Sequence, residues 1–199
     1  MEEDRTKGQL TRSRLIEAAY QLFSNQGYHG TSMRQIAQHT GLALGGIYNH
    51  FDSKEDIFFA VLEAYHPYHE MLPVLQNAQG ETIEAFVQDA AEGMVAALDR
   101  RPYFLNLMLI ELVEFKSQHI PQMLNIFFPQ VMGIVQRFAE KQENLRSIPL
   151  PIIVRTFIGL FFSYYLIESF MGVDFPTELK EDALDHAVDI FLHGIRNKV

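Results

Sequence analysis

Tyr48, Asn49 and His50 set a hydroxyl, an amide and an imidazole side by side, and Lys54 follows four residues after His50. These are the groups that hold a nucleic-acid duplex: hydroxyl and ammonium groups bind phosphate oxygens, and an amide can pair with a base edge. Upstream, Gly45 and Gly46 have no side chain, which lets a backbone close on a phosphate. Leu44, directly before them, belongs to the same run. A second set, Thr31, Ser32 and Arg34, falls where a helix should begin, and free N–H groups and the helix dipole attract phosphate there. The candidate DNA-facing residues are therefore Thr31, Ser32, Arg34, Leu44, Gly45, Gly46, Tyr48, Asn49, His50 and Lys54.

Short helices must present these groups. Leu15, Ile16, Ala19, Leu22 and Phe23 make one stripe of a first helix, with Thr11 able to cap it and Gly27 placed to end it. Thr31 or Ser32 can cap a second helix with Met33, Ile36 and Ala37 inward. Gly41 supplies a sharp turn. A third helix is predicted from about Ala43 to His50, with Ile47 and Phe51 inward. Ser53 should cap a fourth that carries Glu55 and Asp56 in its first turn and stops before Pro67. Two short helices joined at a glycine turn are the plan of a helix-turn-helix reader, whose last helix lies in the major groove.

With those positions in view, the sequence resembles the tetracycline-repressor (TetR) family of bacterial regulators. The matching residues are Ile16, Ala19, Leu22, Phe23, Gly27, Tyr28, Thr31, Ile36, Ala37, Gly41, Gly45, Tyr48, His50, Phe51, Lys54 and Glu55, in the pattern GYxxTSxxxIAxxTG followed by GxIYxHFxSKE. The resemblance covers about the first quarter of the chain. It implies a repressor that binds a palindromic double-stranded DNA operator as a homodimer and is released by a small-molecule effector. The pattern departs at Ala43 and Leu44, where the resemblance implies a polar helix-starting residue and often a basic one. That removes a cap and a phosphate or base contact.

The remainder of the chain reads as all-α. Helical patterns run over Thr82–Leu98, Tyr103–Phe115, Pro121–Glu143, Pro151–Met171 and Thr177–Asn197, with Pro129 predicting a kink or break and Tyr103–Phe115 apolar enough to be central. The expected architecture is a three-helix helix-turn-helix domain over residues 1–54 and a larger helical domain for effector binding and dimerisation over 55–199. Ile152–Met171 has the length of a membrane span, but Arg155 and Glu168 interrupt it, so a packed helix is expected and no membrane partner. For an effector chamber the candidates are Phe104, Met108, Glu111, Phe127, Phe128, Phe161, Tyr164, Tyr165 and Glu168, which suit a mostly hydrophobic ligand.

Charge and composition agree with this division. The net charge is −9, but residues 1–54 hold six Lys/Arg against five Asp/Glu, while the rest holds ten against twenty. Phosphate would repel the acidic body, so DNA contact falls to the N-terminal segment. The absence of cysteine excludes a disulfide scaffold, a thiolate zinc site and a cysteine nucleophile. The acidic start lacks the basic and apolar runs of a secretory signal, and the chain is read as cytoplasmic. His66 and His69, three apart with Glu63 or Glu70 nearby, could ligate zinc, but Pro67 breaks the spacing; no metal and no cofactor are expected. Two alternatives stand beside the regulator: a small all-α enzyme, and a dimeric relic that no longer reads DNA.

Overall fold

The computed structural model describes residues 2–101, 103–140, 145–170 and 182–196. Among the described residues ten helices follow one another: α1 (Glu2–Gly30), α2 (Met33–His39), α3 (Leu44–Ile47), α4 (Lys54–Tyr65), α5 (Tyr68–Asn77), α6 (Ile83–Asp99), α7 (Phe104–Glu114), α8 (Ile120–Glu140), α9 (Leu150–Phe170) and α10 (Ala183–Ile195). Among the described residues the extended backbone pairs only in one isolated bridge, Leu145 with Arg196. The all-α expectation holds.

By contacts the chain forms two units. The first is Met1–His66 with Pro102–Leu124; the second is Pro67–Arg101 with Asn125–Val199. This division does not follow the functional boundary expected at residue 54, because α4 and α7 both pack within the first unit.

In the first unit, Leu15, Ala19 and Phe23 of α1 are buried with Ile36 of α2, Ile47 of α3, Ile57, Phe58, Val61 and Leu62 of α4, and Leu107 of α7. α1 begins earlier than expected, at Glu2, and Thr11 does not cap it: its hydroxyl donates to Lys7 O one turn back. Gly27 does break the helix. Its φ of 76° and ψ of 172° belong to glycine's permitted space, and the helical hydrogen bonding resumes only for the short stretch to Gly30.

In the second unit α6 packs against α5, α9 and α10. Phe86, Phe138, Phe157, Phe161 and Phe191 form its aromatic centre, with rings meeting edge-on or tilted. Helix α5 falls where no helix was predicted, and it holds Pro73 within it. Pro129 does not interrupt α8: the proline and Asn125, whose carbonyl loses its partner, both lie on the exposed side, where water can satisfy the freed carbonyl. α7 is not central. Phe104, Leu107 and Glu111 face inward, while Leu109, Leu112 and Val113 are exposed.

Helix α9 is long and apolar enough to cross a bilayer. Its inner stripe of Ile153, Val154, Phe157, Phe161 and Tyr165 is buried within the second unit. The predicted extensions to Met171, to 177–181 and to Asn197 lie outside the described residues.

Candidate nucleic-acid interface

α2 starts at a complete capping box. Ser32 Oγ accepts the Gln35 N–H, and the Ser32 N–H donates to Gln35 Oε1 at 2.8 Å. α2 ends at Thr40, and Gly41 turns the chain with φ 74°. Arg14 Nη2 donates to Thr40 O across from α1, and the Arg12 guanidinium lies over the Phe51 ring. Arg14 thus braces the turn and Arg12 the segment after α3, both from the α1 side.

α3 is shorter than expected. Regular helix covers Leu44–Ile47, followed by a turn through His50. Ala43 offers no side-chain acceptor at the N-cap, and Gly45 and Gly46 weaken helix in its only turn. Ile47 carries its attachment: it is fully buried, and its carbonyl accepts the N–H groups of His50 and Phe51. With that anchor fixed, Leu44, Gly45, Tyr48 and Asn49 are exposed, and Gly46 and His50 are half-buried. Tyr48 is 50% exposed, so its hydroxyl is free to reach outward. Space beyond the Gly45 Cα is open, so a close-approaching backbone or phosphate meets no side chain there. Ser32 and Arg34 are exposed on α2.

Thr31 is a correction. It is 2% exposed, its hydroxyl donates to Gly27 O at 2.9 Å, and its N–H donates to Tyr28 O. Both donors serve the bend after α1, so Thr31 has none left for a phosphate.

Lys54 also looks inward. Its ammonium donates to Tyr28 O at 2.7 Å and to Thr31 O at 2.8 Å, and it sits 4.0 Å from the Tyr28 ring centroid. Burial lowers its pKa, and the Glu114 carboxylate opposes that shift. The Tyr28 hydroxyl is pushed up by burial and then by Glu55 and Glu114. An ammonium has three donors, so the third remains available to an anion.

A cluster that sequence reasoning missed holds α1 and α4 to α7 and the turn after it. His29 Nε2 lies 2.6 Å from Glu114 Oε2. Buried Glu111 accepts the His119 N–H at 2.8 Å and meets His119 Nδ1 at 2.7 Å, while His119 Nε2 faces Glu55 at 3.4 Å. Gln118 donates to the same Glu55 carboxylate. Phe58, Phe59 and Phe115 surround the His119 ring. Lys116 and Ser117 reach this turn with left-handed backbones, φ 52° and 65°. Glu111 therefore holds a histidine of its own chain, and its expected place among effector contacts is withdrawn.

The other effector candidates fall in both units. Phe104 and Met108 lie in the first unit, with Phe104 buried against His66. In the second unit the Phe127 ring lies tilted against Tyr68, Phe161 is sealed in the core and Phe128 is 65% exposed. Tyr164, Tyr165 and Glu168 do come together, lining a cleft of about 310 Å³ with Val95, Asp99 and Ser169. The histidine pair considered for zinc is otherwise engaged: His69 lies against Tyr68, and Glu70 pairs with Arg101 at 2.6 Å.

A trihelical unit with a glycine turn, a buried anchor on its third helix and a polar outer face defines a helix-turn-helix DNA reader. The family described as "Bacterial regulatory proteins, tetR family" matches residues 15–61. The regulator UidR of Escherichia coli K12 is 37% identical over 62 residues, 31% of this chain and 32% of its own length. TtgR of Pseudomonas putida is 35% identical over 79 residues, 39% of this chain and 38% of its own. The match spans about a third of these relatives' length. Over the whole chain, the fold is similar to NalD, the secondary repressor of the MexAB-OprM multidrug efflux pump in Pseudomonas aeruginosa: TM-score 0.66 at 21% identity, with 99% of this chain and 100% of that one covered. Residues 15–61 thus carry a tetR-family regulatory segment, and the chain as a whole shares the fold of NalD.

Proposed function

We propose that the chain is a homodimeric repressor that binds a palindromic operator and is released by a small, mostly apolar molecule with a polar head. The observation that carries this reading is the outer face of α2 and α3: Arg34, Gly45, Tyr48 and Asn49 are exposed together over a sealed core of Ile36 and Ile47. Arg34 and Tyr48 serve phosphates, and Asn49 reads a base edge. Ser32 positions α2, and the third donor of Lys54 adds one phosphate contact. Leu44, Gly46 and His50 complete the approach surface. The reading places the protein in the cytoplasm, with the DNA.

Dimerisation is supported by an unpartnered stripe. On α9, Ile152, Thr156, Gly159, Ser163, Ile167 and Phe170 recur at helical spacing and are exposed; on α10, Ile190 is 67% exposed. Two such helices from each copy would close a four-helix bundle. The symmetry then sets two readers one helical turn apart on DNA, about 34–36 Å. The effector acts by favouring a dimer whose readers miss that spacing, with α4 carrying the change, and only its differential affinity for the two arrangements can do so.

The test is a footprint and gel shift with DNA upstream of the chain's own coding sequence, together with sedimentation at micromolar concentration. A protected palindrome and a dimer are expected. A monomer, or equal affinity for random DNA, overturns the reading. Identical reader separations with and without effector would remove the mechanism of release.

A further inference from the structure

The cleft on the second unit has an unusual charge for an apolar helical domain. It lies where α6 and α9 run out, lined by Val95 and Asp99 from α6 and by Tyr164, Tyr165, Glu168 and Ser169 from α9. Glu168 continues the inward stripe of α9, seven residues beyond Phe161 and eleven beyond Phe157, at a position where the pattern calls for an apolar residue. Asp99 is the final residue of α6. Helix C-terminal ends carry partial negative charge, and neither α6 nor α9 has a basic residue in its last turn. Both carboxylates are thus set where the backbone already disfavours them.

Nothing in the described residues compensates them. Among the described residues no Lys, Arg or His, the adjacent Arg100 included, forms an ion pair with Asp99 or Glu168. Tyr165 is 3% exposed and lines the cleft, and among the described residues its hydroxyl has no hydrogen-bond partner. Tyr164 is held above the usual phenol range by burial and then by Glu168, Asp99 and Asp185, which reports a negative field across the same space. Two carboxylates, two aromatic rings and a buried, unpartnered hydroxyl are the complement of a cation with an apolar body.

We propose that this cleft binds a small organic cation, a quaternary or protonated amine carrying an apolar group, with its charge between Asp99 and Glu168 and its body against Tyr164 and Tyr165. The volume, about 310 Å³, suits a single-ring ligand. This names the effector class of the repressor and rests on that reading only for its consequence at DNA, not for binding.

The experiment uses the full chain without DNA and titrates benzyltrimethylammonium by calorimetry, with benzyl alcohol and benzenesulfonate as neutral and anionic comparators. Saturable binding of the cation, one per chain, is expected, with weaker or no binding of the other two. The Asp99→Asn, Glu168→Gln double variant should bind the cation at least about tenfold more weakly, and Tyr165→Phe a few-fold more weakly. An Asp189→Asn control should bind as the parent does. Without the cation, the double variant should unfold no earlier than the parent, because it loses two uncompensated charges; this separates lost binding from lost folding. Absence of cation binding, equal binding of benzyl alcohol, or unchanged binding by the double variant each overturns the proposal. If the cation binds as expected but leaves DNA affinity unchanged, the site stands and the effector role fails. If it does not bind while another small molecule releases DNA, the site fails and the repressor reading stands.

Discussion

Lys54→Ala removes an ammonium that ties the start of α4 to the bend after α1. Two hydrogen bonds of 2.7 and 2.8 Å to Tyr28 O and Thr31 O are lost, together with the cation over the Tyr28 ring. Buried, each charged hydrogen bond would contribute about 1.5–3 kcal/mol, but Lys54 is half-buried, so about 1 kcal/mol each is the fitting size, with roughly 0.5 kcal/mol more from the ring. Against this, a cation at the first residue of a helix costs about 0.3–1 kcal/mol through the dipole. The net loss is about 1.5–2 kcal/mol. Urea unfolding without DNA, at one fixed protein concentration, measures it. On DNA, losing the third donor should lower affinity alike for upstream and random sequences and reduce the salt slope by about one per subunit. An unchanged urea midpoint would show that the inward contacts are not formed in solution. A lowered midpoint with an unchanged salt slope would show that Lys54 is structural alone.

Asn49→Ala, on the exposed turn of the reader, should cost about 1–3 kcal/mol on the operator and little on random DNA in paired gel shifts; equal losses on both would assign Asn49 to phosphate. Glu111→Ala leaves His119 buried without its acceptor and should destabilise the chain by about 3 kcal/mol in urea; a loss under about 1 kcal/mol would mean the pair is open to water. Ile190→Asp places a charge on the exposed stripe of α10 and should yield a monomer by sedimentation that still folds by circular dichroism; a persistent dimer would move the interface elsewhere.

Local chemistry was legible in the sequence by itself. Ser32 and Ser53 cap the helices that follow them, and Gly27 and Gly41 take the positive φ that their turns require. Each of these acts over about four residues, the reach of one helical turn. Inward positions such as Ile36 and Ile47 were also readable, because helical period selects a face where polar and apolar residues alternate around the helix. Where a local rule conflicted with packing, structure overrode it: Pro129 suggested a kink or break in a helix whose exposed side tolerates the proline.

Tertiary structure alone decided what each inward or polar side chain meets. Period could not tell that Lys54 reaches carbonyls 26 and 23 residues back, or that Glu111 closes on His119 across a left-handed turn. It marked Phe161 and Tyr164 equally as effector candidates, yet packing seals one in the core and opens the other onto a cleft beside Asp99. A sequence pattern constrains the direction of a side chain relative to its own helix. The identity of its neighbour depends on where another helix crosses, and only the folded chain brings those two surfaces together.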